Sequence, residues 1–478
     1  MSNIVTRLAP SPTGKFMHLG NLRTLLFNYL WAKKMGGKFL VRLEDTDRDR
    51  YTPEFLTHFR ETLDWLGIEP DFSFWNPDPN VGSFIQSERD YSHRVKFLLN
   101  RGLAYFAFDT QEELDELRKK GLKYDSTTRM TMNNSLTNPS TDIMLQSGVP
   151  YVIRFKVEGG EDINFKDQIL GDITINSDQL DDKVLIKSNG IGSYHLCNVC
   201  DDHDMGVTHV LRGNEWVNST PFHIILYRSF GWDAPQFCHL PLIMNPDGKG
   251  KLSKRTANKY GIPISAIGYY DDNGEYQRGW RELGYDPHSL LNALALIGWS
   301  PGNDIEIMTM DQMIDLFSLD GIGKSGARFD MDKAKWINSH HLKMMDFNEL
   351  MKSCLFHDDR FDLSRMEKIV HLAAARSSFK HEMQSVVDIF FDVPQFDVSK
   401  VTDDFKKFAS VVDFSGVDFE DVIAIKQYIY EVCEKLSLKM GKIMPVMRYV
   451  LVGGISGPDM VTTCHILGKE ETLKRIKC

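Results

Sequence analysis

The sequence predicts an α/β protein with a Rossmann-like, doubly wound parallel sheet, an inserted α+β subdomain and a mostly α-helical C-terminal region. Three observations predict this class. The N-terminal segment has the pattern of a strand, a loop, a helix and a second strand. Between 106 and 193 the residue pattern changes to a charged helix, a polar stretch and segments in which apolar and polar residues alternate. After 331 apolar residues recur mostly at helical spacing. A chain of 478 residues can form several domains.

The N-terminal segment predicts a βαβ unit. Residues 3–8, NIVTRL, have the pattern of a short strand, and KFLVRLE has that of a second one. Between them, apolar residues recur at helical spacing: Leu22, Leu25, Leu26 and Tyr29. Gly36 and Gly37 end this helix. In such sheets ligands bind beyond the carboxyl ends of the strands, which is where the first loop and Glu44 lie.

The pattern of apolar and polar residues divides the rest of the chain into segments. TQEELDELRKKG predicts a helix, YVIRFKV and ITIN predict strands, and the sheet is expected to resume near 194 with strands at YHLCNVCDD and THVLRG. Residues 269–285 are polar and aromatic, which predicts a surface loop. An amphipathic helix is predicted in the C-terminal region from one apolar stripe: Ile425, Tyr428, Ile429, Val432 and Leu436.

Composition narrows the functional classes. No segment resembles a signal peptide or approaches the roughly 18 apolar residues of a membrane span, so a cytoplasmic protein is expected. The net charge of −10 means that any site for nucleic acid must be a local patch. The seven cysteines are scattered, which argues against a disulfide framework, and the CxxC of Cys197 and Cys200 favours buried thiols over a metal or redox site.

RLAPSPTGKFMHLGNLRT, residues 7–24, carries the first chemical motif. His18 and Gly20 stand where a helix is predicted to open at Asn21, and free amides at a helix start attract anions. The glycine lets a phosphate or a flat base approach closely. A tight loop whose histidine only caps or packs is the alternative.

GKGKLSKRT carries the second motif. Its basic residues lie among small, flexible ones: Lys249, Lys251, Lys254 and Arg255. This composition suits a mobile loop that folds over a triphosphate, although a solvated basic turn would look the same. The two motifs at plausible ends of one sheet favour a nucleotide site.

The two motifs resemble the signatures of class I aminoacyl-tRNA synthetases. Four segments are similar in sequence to the bacterial glutamyl-tRNA synthetase family: TRLAPSPTGKFMHLGNLRT, RLEDTDRDR, DDHDMGVTHVLRGNEW and KLSKR. SLLNALALIGWSPG and FDMDKAKWINSHHL extend the resemblance, and GGISGPDMVTTCHILGKEETLKRI continues it more loosely.

The resemblance implies a ligase that joins L-glutamate to tRNA(Glu) through a glutamyl-adenylate, with ATP and Mg²⁺ as the expected cofactors. The sequence leaves the oligomeric state open, and a monomer is the default expectation. The resemblance also implies the domain organisation. The expected domains are the first half of the catalytic domain at 1–105, an inserted acceptor-stem-binding subdomain at 106–193, the second catalytic half at 194–256, a stem-contact connecting domain at 257–330 and an anticodon-binding domain at 331–478.

Site residues follow from the same resemblance. His18, Lys251 and Lys254 are the expected catalytic residues, and Leu252 replaces the methionine more familiar in the second signature. Asn21 stands where the generic first signature has a second histidine, which glutamate-specific members often vary. The ATP-binding set is His18, Gly20, Asn21, Trp216, Lys251 and Lys254. The glutamate-binding set is Arg7, Ser11, Glu44, Tyr194, Asn198 and Arg212.

The expected glutamate site suits the ligand, because two cationic groups can hold two carboxylates and one anionic group can hold an ammonium. Each residue has a structural alternative. Glu44 could pair locally with Arg42 or Arg48, and Trp216 could belong to the core. Arg376 in AAARSSFKHEM lies near the place where the family has an anticodon-reading arginine, although helical arginines are commonly solvated.

Two further expectations complete the prediction. Some relatives carry a cysteine-rich zinc site in the insertion, but residues 106–193 contain no cysteine, so a zinc-free insertion and no protein metal site are predicted. The rival functions are a tRNA-binding or regulatory protein that has lost catalysis, a shortened relative that glutamylates a modified base in tRNA, and another nucleotidyltransferase. The retained motif residues and the long C-terminal region argue against them.

Overall fold

The computed structural model describes residues 4–356, 359–392, 394–454 and 457–477. Asn3 of the predicted first strand, and Ile455 and Ser456 of the stretch that begins at Gly453, lie outside these residues. Two compact units are found, one formed by Met1–Leu283 with Leu290–Met331 and the other by Gly284–Ser289 with Asp332–Cys478. No helix in the described part of the chain is both long and apolar enough to cross a membrane.

Among the described residues, the strands all lie in the N-terminal part of the chain. They are β1 Val5–Leu8, β2 Lys38–Val41, β3 Phe72–Ser73, β4 Ala104–Ala107, β5 Val152–Phe155, β6 Asp162–Asp167, β7 Gly171–Asn176, β8 Val184–Ile186, β9 His209–Gly213, β10 Gln236–Leu240, β11 Ile243–Met244, β12 Tyr269–Tyr270, β13 Tyr276–Gln277 and β14 Ala327–Arg328. The helices that accompany them are α1 Leu19–Lys34, α2 Glu54–Leu66, α3 Ser92–Asn100, α4 Gln111–Lys119, α5 Thr141–Gln146, α6 Tyr194–Asp204, α7 Thr220–Phe230, α8 Lys254–Lys259, α9 Pro287–Ala295 and α10 Met310–Leu316.

The predicted parallel βαβ unit is confirmed. β1 pairs in parallel with β2 from Val5 opposite Lys38 onward, and β2 pairs in parallel with β3. At the other edge the Thr208 amide donates to the Val5 carbonyl at 2.9 Å, which brings β9 beside β1, and β9 pairs in parallel with β10. β1-β2-β3 and β9-β10 pair as two sheets that meet at this hydrogen bond, so the strands lie side by side in the order β3-β2-β1-β9-β10. The strand order reverses between β1 and β9, and such a switch point is where doubly wound sheets bind ligands.

The predicted insertion divides between two sheets. β4, β5 and β8 form an antiparallel sheet of their own. β6 and β7 form an antiparallel hairpin, and β6 pairs with β10 where Asp167 lies opposite Phe237. Two strands from residues 106–193 thus extend the main sheet beyond β10.

The prediction of a strand at YHLCNVCDD is wrong, because this segment is helix α6. Leu196, Cys197, Val199 and Cys200 are all buried in the core beside the sheet, so a helix buried on more than one face imitated the alternation of a strand. Burial raises the pKa of both thiols, as expected for the predicted buried cysteines. The six described cysteines form no disulfide.

The prediction of a surface loop over 269–285 is wrong in part. β12 and β13 form a two-stranded antiparallel hairpin. Tyr269 packs on Phe16 with ring centres 4.0 Å apart, and the Trp280 side chain is fully buried. Residues 272–276 at the tip are exposed, as are Tyr270, Arg278 and Arg281, whereas Tyr269 and Trp280 join the core.

The C-terminal unit is helical, as predicted. Its helices are α11 Met331–Met344, α12 Phe347–Lys352, α13 Leu363–Arg376, α14 Met383–Phe391, α15 Asp403–Val411, α16 Val422–Lys435, α17 Met440–Val452 and α18 Met460–Ile476. They enclose one hydrophobic core. The predicted stripe on α16 contributes Ile425, Ile429 and Val432 as buried residues, with Tyr428 and Leu436 partly buried beside them.

Candidate active site

A cavity of about 520 Å³ opens at the carboxyl ends of β1 and β9, next to the start of α1. Every site residue predicted in the N-terminal unit lines it: Arg7, Ser11, His18, Gly20, Asn21, Glu44, Tyr194, Asn198, Arg212, Trp216, Lys251 and Lys254. Arg376 does not belong to this group. It is the exposed last residue of α13 in the C-terminal unit.

His18 caps helix α1, which begins at Leu19 and not at the predicted Asn21. The Gly20 amide donates to His18 Nδ1 at 3.1 Å, so in the neutral ring the proton sits on Nε2. Burial, with a smaller contribution from the positive charge of Lys251, lowers the pKa of His18 to about 4. The hydrogen bond from the Gly20 amide thus fixes the tautomer of His18, and burial keeps the ring neutral, so that Nε2–H is available to donate to a ligand.

The chain that follows the second motif holds the start of this helix. The Leu19 amide donates to the Ile264 carbonyl at 2.8 Å, and His18 forms an isolated antiparallel bridge with Ser265. The two motifs, more than two hundred residues apart in the chain, are thus joined through the backbone.

In the KLSKR segment Leu252 is buried and the other four residues are exposed. Leu252 is buried and its amide donates to the Ile243 carbonyl at 2.8 Å, whereas Lys251 and Lys254 on either side are exposed and line the cavity. Gly248 and Gly250 have φ values of 73° and 77°, which favour glycine and form the turn before the lysines. Lys251 Nζ lies 3.2 Å from Glu215 Oε1, and both side chains are about half exposed.

A buried chain of charges links Arg7 to Glu44. Arg7 Nε and Nη2 donate to the carboxylate of Asp202 at 3.1 and 3.2 Å, and Arg42 Nη1 donates to its Oδ1 at 2.7 Å. Arg42 Nη2 also donates to Glu44 Oε1 at 3.2 Å, as does Asn198 Nδ2 at 3.1 Å. Among the described residues both hydrogen bonds to the Glu44 carboxylate use Oε1, which leaves Oε2 for a ligand.

Two alternatives raised by the sequence are thereby resolved. Glu44 does pair with Arg42 and still faces the cavity, whereas Arg48 pairs with Asp45 at 3.3 Å. Trp216 is not a core residue, because 38% of its surface is exposed. Its ring packs on the Tyr194 ring with centres 4.5 Å apart at the cavity wall.

Several cavity residues were missed by sequence reasoning. Arg23 and Glu215 line the cavity, and burial lowers the pKa of Arg23 to about 10. Arg42 and Asp202 lie behind Arg7 and Glu44. Glu215 could have been singled out in RGNEW, but nothing in the sequence spacing pairs Asp202 with an arginine 195 positions away.

The carboxylates that face the cavity offer little to a resident metal. Glu44 is held by Arg42 and Asn198, and Glu215 is held by Lys251. In the described part of the chain no group of three or more His, Cys, Asp or Glu side chains is placed to hold a metal ion. This donor set fits Mg²⁺ only in its usual form, bound mainly by phosphates and water with one carboxylate nearby.

Comparison with known proteins identifies the family. A family model for the catalytic domain of class I tRNA synthetases (E and Q) matches residues 3–336, and an anticodon binding domain model matches residues 346–478. The glutamate–tRNA ligase of Amoebophilus asiaticus is 39% identical over 502 residues, covering 99% of this chain and 97% of the relative. The chain belongs to the glutamate–tRNA ligases of class I. The family member from Phocaeicola vulgatus is 41% identical over 496 residues, covering 98% of this chain and 97% of the relative.

Two solved structures of glutamate–tRNA ligases are similar to this chain in both fold and sequence. The glutamate tRNA ligase of Elizabethkingia meningosepticum, solved in complex with its amino acid, has a TM-score of 0.88 and 39% identity and covers 99% of this chain and 98% of that one. The glutamate-tRNA synthetase of Elizabethkingia anophelis has a TM-score of 0.85 and 40% identity and covers 99% of both chains.

The predicted resemblance is confirmed, and with it the α/β fold class and the prediction of an ATP-dependent ligase that attaches glutamate to tRNA. The match of residues 346–478 to an anticodon binding domain also contradicts the shortened relative, which lacks that half. The roles of individual residues and the domain boundaries remain predictions.

Proposed function

We propose that this ligase charges tRNA(Glu) in two steps, both carried out in the cavity between β1 and β9. In the first step an oxygen of the glutamate α-carboxylate attacks the α-phosphorus of ATP, and pyrophosphate leaves. In the second step a ribose hydroxyl of the terminal adenosine attacks the glutamyl carbonyl carbon, and AMP leaves. The observation that carries this proposal is the convergence of all twelve predicted residues of the N-terminal unit on one cavity.

Glutamate is proposed to bind at the inner end of the cavity. Arg7 holds the γ-carboxylate, Arg212 helps to place the α-carboxylate end, and Glu44 Oε2 accepts the ammonium. Tyr194, Asn198 and Ser11 line the same cavity and would complete the site. Planar guanidinium groups suit this task because they donate two parallel hydrogen bonds to a carboxylate.

ATP is proposed to bind at the start of α1. Nε2–H of His18 donates to a phosphate oxygen, the absence of a side chain at Gly20 admits the nucleotide, and Asn21 and Trp216 border it. The low pKa of His18 means that this donor is a neutral imidazole near neutral pH.

Lys251 and Lys254 are proposed to stabilise the negative charge that develops at the phosphates as the bond to pyrophosphate breaks. Lys251 would exchange its contact with Glu215 for the phosphates when ATP binds. No side-chain nucleophile or base is required in the first step, because the attacking carboxylate is already ionised. Positioning and charge stabilisation therefore supply the rate.

Several finer points belong to the same proposal. Mg²⁺ would enter with ATP and neutralise phosphate charge, with Glu215 as the cavity carboxylate nearest to the lysines. Arg376 would read an anticodon base, residues 106–193 would bind the acceptor stem, and residues 257–330 would contact the stem. The protein is proposed to act as a cytoplasmic monomer.

Charging of purified tRNA(Glu) and, separately, tRNA(Gln) with labelled glutamate and ATP tests the proposal. Lys254→Ala should reduce charging of tRNA(Glu) about 100-fold or more, the scale of losing one transition-state donor. Lys249→Ala is the matched control, because Lys249 is exposed in the same segment but lies outside the cavity lining. Equal effects of the two substitutions, or no charging by the unmodified protein, would overturn the proposal. Charging of tRNA(Gln) would show a broader tRNA specificity.

A further inference from the structure

The guanidinium of Arg212 is surrounded by uncharged hydrogen-bond acceptors. Its Nε donates to His239 Nε2 at 3.1 Å, and its Nη2 donates to Thr220 Oγ1 at 2.7 Å. Its Nη1 lies 3.3 Å from His223 Nδ1 and 3.5 Å from the Tyr194 hydroxyl. Within the described residues no carboxylate lies within 4.0 Å of this guanidinium, whereas Arg7 and Arg42 both contact Asp202.

The hydrogen bond to Arg212 decides where His239 carries its proton. Arginine can only donate, so His239 Nε2 must be the unprotonated nitrogen and Nδ1 must carry the hydrogen. His239 Nδ1 lies 2.7 Å from Asp167 Oδ2, and neither side chain has exposed surface. Burial lowers the pKa of His239, so the ring is neutral near neutral pH.

Asp167 is itself held rigidly at the end of β6. Its Oδ1 accepts the amides of Ile169 and Leu170 at 2.9 and 2.8 Å, and its Oδ2 accepts the His239 amide at 3.1 Å. Burial alone would raise the pKa of Asp167, but the hydrogen bonds from His239 and the backbone amides hold it below its usual value. A carboxylate fixed by the β6–β7 turn thus sets the ring orientation on the neighbouring strand β10.

We infer that Asp167 and His239 form a positioning pair for Arg212, which aims its guanidinium at the substrate carboxylate in the cavity. The inference rests on the proposed role of Arg212 in glutamate binding. A buried Asp–His pair without a function would cost desolvation free energy in a place where apolar residues could pack. A neutral histidine can orient the Arg212 guanidinium and leave its positive charge available to the substrate. A carboxylate in the same place would neutralise that charge.

Asp167→Asn tests this inference. The amide oxygen can still accept the amides of Ile169 and Leu170, but the new NH₂ group faces His239 Nδ1 and forces the proton onto Nε2. The His239 backbone amide then keeps only its longer contact with the oxygen at the Oδ1 position, 3.4 Å away. The Nε2–H group then faces the Nε–H group of Arg212, so Arg212 loses this acceptor, and Thr220 Oγ1, 3.2 Å from Nε2, is the neighbouring atom that can accept from the histidine. A positioning role predicts that KM for glutamate rises about 10- to 100-fold, the usual scale for losing a supporting hydrogen bond behind a ligand-binding residue, while KM for ATP changes less than about two-fold.

The assay is pyrophosphate exchange in the presence of tRNA(Glu), so that any need for tRNA in glutamate activation is met. His239→Gln is the rescue variant, since its amide oxygen can accept from Arg212 and its NH₂ can donate to Asp167; KM for glutamate should stay within a few-fold of the unmodified protein. Asp162→Asn makes the same change at the exposed start of β6 and is the matched control.

The outcomes separate the two proposals. Nitrogen NMR of ¹⁵N-histidine, with His239 assigned through the glutamine variant, should show the Nδ1–H form in the unmodified protein and the Nε2–H form in Asp167→Asn. An unchanged KM for glutamate in Asp167→Asn, with this change of tautomer observed and Arg212→Lys strongly impaired, would overturn the positioning role and leave the proposed function standing. Equal losses in the KM for glutamate and for ATP would also overturn it, because they would indicate a general structural defect.

Discussion

The Nζ atom of Lys254 lies 5.9 Å from the centre of the Phe16 ring, which joins the second motif to the loop of the first. The Tyr269 ring lies 6.0 Å from the same atom. Lys15 anchors the hairpin of β12 and β13 from the other side, donating to the Asp271 carbonyl at 2.8 Å and pairing with Asp272 at 3.3 Å. The hairpin therefore supplies half of an aromatic surface beneath the proposed phosphate-binding lysine.

Tyr269→Leu should lower kcat for charging tRNA(Glu) about two- to five-fold, because a cation–π contact at an exposed lysine contributes about 0.5–1 kcal/mol. KM for glutamate should change little, since Tyr269 is not among the residues that line the cavity. Tyr270→Leu is the control, as the neighbouring side chain is 64% exposed. A larger effect of the control would contradict this role. A variant that shortens the β12–β13 hairpin should remove only its tip, because the Trp280 side chain after β13 is buried.

Asp202→Asn should lower the free energy of unfolding by about 3–5 kcal/mol, the usual consequence of removing one partner from a buried charge network. Asp202 is 1% exposed between Arg7 and Arg42, and these two cations hold the pKa of its carboxyl below the usual value although burial would raise it. Urea denaturation measures the effect. Asp204→Asn, whose side chain is 27% exposed, should cost about 1 kcal/mol or less. Similar losses for the two would argue against the network.

Glu44→Gln should reduce kcat/KM for glutamate about 100-fold, because the amide keeps the shape of the side chain but has no charge for an ammonium. Its oxygen can still accept from Arg42 and Asn198, so the fold should persist. Steady-state kinetics with each substrate varied checks this. If KM for ATP rises as much as KM for glutamate, the proposed ammonium contact is wrong.

His195→Gln should reduce the acid sensitivity of the fold. Burial, with smaller contributions from Lys183 and Arg212, lowers the pKa of His195 from 6.5 to about 4. The unfolded chain therefore binds more protons than the folded chain in this interval, so stability is lost as pH falls from 6.5 toward about 4. Thermal midpoints across the interval should fall less steeply in the variant, which retains an amide that can hydrogen-bond to His223. The same substitution at exposed His93 is the matched control, and an equal change of slope in both variants would contradict the role of His195.

Purified protein should contain far less than one zinc atom per chain, since residues 106–193 contain no cysteine. Elemental analysis of protein prepared without chelator checks this. Stoichiometric zinc that survives dialysis would contradict the prediction and would call for ligands outside that segment.

The sequence was informative where one local rule decides the structure. The helical spacing of Leu22, Leu25 and Leu26 between two strand patterns was enough to predict the βαβ unit. Helix α6 was mispredicted because residues 196–202 are all buried, the polar Asn198, Asp201 and Asp202 included, so that no solvent-exposed polar face reveals the helical period. Local pattern alone cannot separate a helix buried on several sides from a strand.

The residues of the candidate site were predicted from the similarity of their sequence motifs to a known family, and not from an expected arrangement in space. Resemblance named Arg7, Glu44 and Arg212, but the partners that hold them are distant in sequence. Asp202 and Arg42 are 160 positions apart, and Asp167 and His239 are 72 apart. Such pairs depend on strand order, and the pairing of β6 with β10 has no signature in a single sequence.

The position of Asp202 between Arg7 and Arg42 has a consequence for which amino acid the cavity accepts. Arg7, Arg42 and Arg89 bring three positive charges, Asp201, Asp202 and Glu44 bring three negative ones, and the six cancel. Arg212 then leaves the enclosed group with one positive charge. Free glutamate carries a net charge of minus one and completes neutrality, whereas zwitterionic glutamine would leave an unbalanced ion in a region of low dielectric constant. In the proposed glutamate site, glutamine would therefore be disfavoured by charge alone, before the difference in hydrogen bonding between a carboxylate and an amide enters.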